Sequence, residues 1–589
     1  MASDGRTVGR IEGPGHRSPV HNPLARLTLN ARTDRAAFAA VALAVATAIV
    51  APVAEIVLRS FEKQTGLFTS TASLANYERL LSPDMVSSGS ATFIIAAGSA
   101  LLATVLGTIL ALVVARTDVP GWKWLELLAY VPFFWTPMIS GIAWAYLAAP
   151  DTGILNHLAV ATGVFREGPF NAYTLPAIIF VLGLSWVPIV MLLTIGTLRQ
   201  ADPALEHASR ACGAGPFRTF WRVTLPLAIP AVSSAAVLVF VLSVDEFGVP
   251  IILGYPYGTQ TLSTRLYDTV LQSFPPNYNL AAAIGTVMVA VALVAFYLQH
   301  RLVRGRSFVT VSGRNAGAQR IRLGGWRWLA FALAVAYVAL AVVLPLCALA
   351  IAAISARWTG TIDLRYFTTE NFRLLFTADP LAQTALVNSM FLAPVAATVG
   401  IALALAAAYG TQRLRFRGAR LVDLLLGIPI AVPGMALAVG ILDLLIRTPA
   451  YATLAIIGLA YVVRYFPYGH QTVVSAFGGL HPELEEAAQV SGGGRVRTLR
   501  AVLLPLVRPS LLSGWLLLCI MFLREVSMSN ILWNNGTQVL SVALLDAVEF
   551  QPAGVAAAFT LVQVAVILVP MLLILRIGGR DALYASSSR

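Results

Sequence analysis

The stretch ELEEAAQVSGGGRVRTLRAVLLPLVRPSL, residues 483–511, is charged and broken by glycine, yet it sits between two long apolar runs. It also occurs twice. ALEHASRACGAGPFRTFWRVTLPLAIPAV, residues 204–232, aligns with it without a gap, and Leu205, Glu206, Ala208, Gly213, Gly215, Arg218, Thr219, Val223, Leu225, Pro226, Leu227 and Pro230 meet identical residues. A repeat of this kind sets the plan of the whole chain. Working outward, NYERLLSPD (76–84) matches NFRLLFTADP (371–380), and TLSTRLYDTV (261–270) matches VLSVALLDAV (539–548).

The 589 residues are 58% hydrophobic and 12% charged, with mean hydropathy +0.76. Soluble domains carry about 25% charged residues, so this chain belongs in a bilayer. At roughly 20 apolar residues per span, about twelve spans are expected, six in each half. Runs such as TFIIAAGSALLATVLGTILALVVA are unbroken, whereas LLAYVPFFWTPMISGIAWAYLAA is interrupted by Pro and Gly. The expected fold is an all-α polytopic membrane protein built as two tandem six-helix repeats. An even number of spans per repeat makes them parallel, with a substrate path where they meet. The boundaries read as a disordered cytoplasmic tail (1–35), a first half (36–304), a cytoplasmic linker (305–326), a second half (327–580) and a short cytoplasmic tail (581–589).

The net charge of +13 follows the membrane and not a nucleic acid. Arg116 and Lys123, Arg301 to Arg327, Arg413 to Arg420, and Arg576 and Arg580 all fall on one side if the N-terminus is cytoplasmic. Both termini are then cytoplasmic. Cys212, Cys347 and Cys519 are too scattered for a disulfide framework, and the seven His show no metal-ligand spacing. No metal site and no catalytic residue is expected. Trp144 and Tyr146, near a span end, read as interface anchors.

In the second copy Pro482 suits a first helical position, Glu483, Glu485 and Glu486 suit a helix N-terminus, and glycines from Gly492 end the helix. Leu484, Ala487 and Ser491 form a small-residue face, matched by Leu205, Ala208 and Cys212. A short helix that cannot bury itself in lipid is a docking element; an unpartnered interfacial linker is the plainer alternative. These residues, EEAAQVSG with Leu504-Pro505 downstream, resemble the EAA loop of permease subunits of binding-protein-dependent ABC importers. The likeness covers both halves, and with DEFGVPIILG and LREVSMSNILW it is greatest to the ferric-iron branch. Thiamine, aminophosphonate, polyamine and sulfate permeases are near relatives.

The resemblance implies the type I importer permease fold in a bacterial inner membrane and docking by Glu206, His207, Ala208, Gly213, Glu485, Glu486, Ala487, Ala488 and Gly492. It also implies two copies of a cytoplasmic ATPase that bring ATP and Mg, and a periplasmic or lipid-anchored binding protein. His207 departs from the pattern, standing where the second copy has Glu486. The chain itself binds no cofactor on this reading. Its two Lys, Lys63 and Lys123, do not follow Gly, so no phosphate loop exists here.

Aligned, Asp245-Glu246-Phe247 meets Arg524-Glu525-Val526 at the ends of two apolar runs. Ionisable groups at such depth cost roughly 2.5–3.5 kcal/mol unless paired or hydrated, so they mark a cavity or an interface. Carboxylates suit a hard ferric ion. Alternatively, Arg524 pairs with a carboxylate and pins the halves together. Ser243, Ser527 and Asn530 are further lining candidates. A secondary transporter also favours repeats and broken helices, but it needs no paired docking loop.

Overall fold

A computed structural model of the chain describes residues 23–64, 70–200, 203–303, 320–321, 323–377, 379–414, 416–491 and 494–577. The first half contains α1 (Pro23–Ser60), α2 (Pro83–Arg116), α3 (Trp122–Phe134), α4 (Pro137–Ala148), α5 (Leu175–Gln200), α6 (Pro203–Ala211), α7 (Phe220–Asp245), α8 (Leu262–Tyr267) and α9 (Tyr278–Val303). The second half repeats them in order: α10 (Gly324–Ala353), α11 (Pro380–Leu414), α12 (Ala419–Ile430), α13 (Gly434–Leu445), α14 (Leu454–Gly478), α15 (Glu483–Val490), α16 (Arg495–Leu523), α17 (Leu540–Phe550) and α18 (Ala553–Ile577). A small hairpin pairs Glu62–Gln64 with Ser70–Ala72.

Among the described residues nine helices are long and apolar enough to cross a membrane, or eleven if each bent pair counts once. About twelve were expected, and α14 is not among these eleven. It is 25 residues long, but Arg464, His470 and its tyrosines make it more polar than the others. The bent pairs are α3–α4, at 100°, and α12–α13, at 111°. Proline stands at both breaks: Pro137 pushes the residue before it out of the helical region, and Pro433 is itself extended at ψ 137°. Thr136, before Pro137, is extended at φ −73° and ψ 143°.

One boundary moves. Residues 23–35, expected in a disordered tail, form the start of α1. Pro23 opens the helix where its missing N–H costs nothing, and good helix formers follow it.

The repeat holds at the level of single bonds. Asn76 Nδ2 donates to the carbonyls of Ser60 (3.3 Å) and Glu62 (2.6 Å), and Asn371 Nδ2 to those of Ala353 and Ser355 (both 2.9 Å). Thr92 Oγ1 accepts from Leu262 N at 2.8 Å, as Ser389 Oγ does from Leu540 N at 2.8 Å. Before each Leu-Pro pair the backbone widens into a π turn, at Phe220–Thr224 and Leu499–Leu503. Pro226 and Pro505 lack the N–H that a regular turn would use there.

The first helix of each half packs on the bent pair of the other: α1 lies along α13, and α10 along α4. The approach is close. A Cβ on Gly440 of α13 would stand 2.3 Å from the Pro52 carbonyl of α1, so only glycine fits. Trp144 and Tyr146 are joints and not interface anchors. Trp144 is buried edge-on against Phe180, and Tyr146 donates to the Ala553 carbonyl at 2.7 Å while packing on Trp358.

Candidate transport path and docking helices

A cavity of about 650 Å³ lies between the halves. Its walls run along α5 from Trp186 to Leu193, along α14 from Arg464 to Ala476 and along α16 from Pro509 to Arg524. At 1.5 Å per residue the α16 wall is roughly 22 Å long. The cavity therefore extends from a charged head toward the side that carries α6 and α15, and that head lies on the far side, away from them. The head is formed by Thr136 and Pro137, Asp245, Glu246 and Gly248, Pro429 and Ile430, Arg464 and Tyr465, and Arg524 to Ser527.

The symmetry mates Glu246 and Glu525 have parted roles. Glu525 is buried, with Oε1 accepting from Met528 N at 2.8 Å and Oε2 accepting from the Tyr465 hydroxyl. Both oxygens are spent inside the wall. Glu246 Oε1 accepts from Gly248 N at 2.9 Å, the Val249 N–H also faces its carboxylate, and the side chain lines the cavity. The backbone carbonyls of both are held alike, that of Glu246 by Ser263 Oγ at 2.8 Å and that of Glu525 by Ser541 Oγ.

The alternative that Arg524 pairs with a carboxylate is corrected by the geometry. Arg524 donates to the Phe133 carbonyl of the first half. Asp245 pairs instead with Arg464, at 2.5 Å, and accepts from Gly434 N at 2.8 Å. The reason is position: each residue ends its helix and points across to the opposite half. Ser527 lines the cavity, whereas Ser243 and Asn530 are buried outside its wall. Asn530 Nδ2 bonds back to the Val526 carbonyl at 2.9 Å. Arg464, Tyr465 and Tyr468 were missed by the sequence reading. Arg464 carried a usable signal, since it is a lone charge within an apolar run.

The docking candidates divide by face. Glu206 is buried and bonded to Arg116 and, at 2.8 Å, to Thr224 Oγ1. Glu485 pairs with Arg413 at 3.1 Å. Burial pushes the Glu485 carboxyl above its ordinary value, and Arg413 and Arg495 pull it back. These two glutamates thus hold their helices to their own halves. Leu205, Ala208 and Gly213 are exposed, as are Leu484, Glu486 and Ala487, while Ala488 is half-buried. His207 holds the position in α6 that Glu486 holds in α15. Gly492 lies outside the described residues.

A family model described as "Binding-protein-dependent transport system inner membrane component" matches residues 103–308 and again 396–580. The ferric transport system permease protein FbpB of Actinobacillus pleuropneumoniae is 27% identical over 403 residues, covering 65% of this chain and 56% of its own length. The Fe(3+)-transport system permease protein FbpB 2 of Haemophilus influenzae is 24% identical, covering 80% of this chain and 85% of its own length. The molybdenum transport system permease protein ModB of Mycobacterium tuberculosis is 31% identical over 34% of this chain and 73% of its own length. The chain thus spans little more than half the length of the first of these relatives. Each family match contains one candidate docking helix and one charged helix end, and the chain belongs to the binding-protein-dependent transport system inner membrane component family.

Proposed function

We propose that the chain is the membrane permease of an ATP-driven importer, and that it receives ferric iron from a binding protein on the far side and releases it on the side of α6 and α15. The reading rests on one observation: a cavity shared by both halves, with the Glu246 carboxylate lining its head, extends toward two exposed candidate docking helices. The faces formed by Leu205, Ala208 and Cys212 and by Leu484, Ala487 and Ser491 offer small side chains to the grooves of two ATPase subunits, which carry the ATP and Mg. The docking side is cytoplasmic, as are both termini, in a bacterial inner membrane. Closure of the ATPase pair draws α6 and α15 together and rocks the halves between two access states.

Iron is supported by the names of the ferric relatives and by the oxygen donors at the head, Glu246, Tyr465 and Tyr468. An oxyanion is the second reading. It is favoured by the molybdenum relative and by Arg524, which gives one N–H to Phe133 and has others to offer. The test is uptake of radiolabelled ferric iron, molybdate and sulfate by proteoliposomes holding the permease, an ATPase and a binding protein. ATP-dependent iron uptake that neither oxyanion inhibits is expected. Oxyanion uptake without iron uptake would transfer the assignment, and uptake indifferent to ATP would end the importer reading.

A further inference from the structure

Asp245 and Arg524 occupy the same position in the two halves with opposite charge, and each reaches the helix break of the other half. Asp245 Oδ1 accepts from the N–H of Gly434, the first residue of α13, at 2.8 Å. Its Oδ2 accepts from Arg464, which also donates to the Pro429 carbonyl of α12 at 2.8 Å. Arg524 donates to the Phe133 carbonyl at the end of α3.

The breaks themselves explain the exchange of sign. Aligned from Val131 and Ile428 they read VPFFWTPM and IPIAVPGM. In the first, Thr136 caps α4 by accepting from Met138 N at 3.3 Å, and Pro137 has no N–H to offer. A carboxylate arriving there would find no donor, whereas a guanidinium finds the carbonyl of Phe133. In the second, Pro433 stands in place of Thr136 and brings no capping side chain, while Gly434 presents an N–H at the positive end of the 12-residue α13. A carboxylate from the other half satisfies it.

We propose that these two contacts form a clasp that seals the cavity on the far side, and that Asp245, Arg464 and Arg524 are positioning residues whose release opens the cavity to cargo. The cavity wall ends at their level, at Pro137, Gly248, Ile430 and Ser527. Both contacts cross between halves at the level where the cavity wall ends, and on this proposal far-side opening breaks them. Nothing in this requires the cargo to be iron.

The test places a cysteine at Ser527 in a chain with Cys212, Cys347 and Cys519 replaced, and applies a membrane-impermeant maleimide to right-side-out and inverted vesicles. In the parent, labelling is expected only from the side of α6 and α15. Asp245→Ala or Arg524→Met should admit the reagent from the far side as well, about tenfold faster than the parent. Adding Pro433→Thr to Asp245→Ala restores a local cap for α13. It should recover the thermal midpoint while far-side labelling persists; recovery of both would reduce Asp245 to a helix cap and overturn the clasp. Asp245→Asn keeps an acceptor for Gly434 but loses the charge facing Arg464, and it serves where the alanine variant does not insert. Far-side labelling unchanged from the parent in Asp245→Asn and Arg524→Met, or equal from both sides in the parent, would also overturn the proposal.

Discussion

Glu206 in α6 and Glu485 in α15 hold the same place, and each is gripped by an arginine from the end of the second helix of its own half. The grips differ in depth. The Arg116 side chain is 1% exposed, Thr224 adds a second bond to Glu206, and the inter-half connection pairs behind it, with Ile321 N donating to the Arg116 carbonyl at 2.7 Å. The Arg413 side chain is 14% exposed and also donates to the carbonyls of Phe477 (2.6 Å) and Leu480 (3.0 Å), while Leu503 stands where the first half has Thr224. Duplication copied the attachment; the surroundings set its strength. The first candidate docking helix is held by a fully buried arginine, and the second by one partly in water.

The sharpest way to break this comparison is to remove each arginine. Arg116→Met strands a buried carboxylate and should cost about 3–5 kcal/mol, read as the thermal midpoint in detergent. Arg413→Met should cost about 1.5–3 kcal/mol, because Arg413 itself already lies partly in water. Equal losses would show that burial does not distinguish the two attachments.

The carboxylates at the cavity head extend the comparison. Glu525→Gln disturbs two bonds inside the wall and should lower stability by about 1–2 kcal/mol. Glu246→Gln should leave the midpoint nearly unchanged while slowing uptake, since its carboxylate lines the cavity and is held by backbone N–H groups. A stability loss at Glu246, or unaltered uptake, would show that the symmetry mates have not parted.

Thr224→Val removes one bond to Glu206 and should cost about 1 kcal/mol. Amide hydrogen exchange along α6 would locate that loss. No change there would leave Arg116 as the sole attachment.

The smallest effect depends on pH. Glu485 lies above its ordinary value chiefly through burial. A carboxyl raised in the folded state contributes stability that is complete below its unfolded value and fades as pH rises through the folded one. Arg413 opposes the rise, so Arg413→Met should cost less in acid than at neutral pH. A loss independent of pH would mean that Glu485 is not what Arg413 stabilises.

Much of the architecture could be read from the chain. The gapless match of residues 204–232 to 483–511 gave the duplication, the short helices α6 and α15 and the alignment of Asp245 with Arg524. Arg116 and Arg413 were visible only as marks of orientation, although each ends the second helix of its half. Their link to Glu206 and Glu485 was hidden because the segment between α4 and α5 spans 149–174, whereas its counterpart spans 446–453, so the register slips between the arginines and the docking helices. Start of α1 at Pro23 was likewise obscured by the polar, Gly- and Pro-rich residues before it.

What the sequence determined by itself is everything that depends on near neighbours along the chain: apolar length, proline breaks, helix starts and the repeat. These follow from backbone geometry and the cost of unpaired groups in lipid, which act over a few residues. Only the tertiary structure decided that Asp245 caps a helix of the other half, that Arg524 seeks a carbonyl and not a carboxylate, and that Glu246 is held by backbone N–H groups where Glu525 also takes a tyrosine hydroxyl. Those outcomes turn on which donor or acceptor a distant segment leaves unsatisfied at the meeting point, and a charge in the sequence does not name its partner.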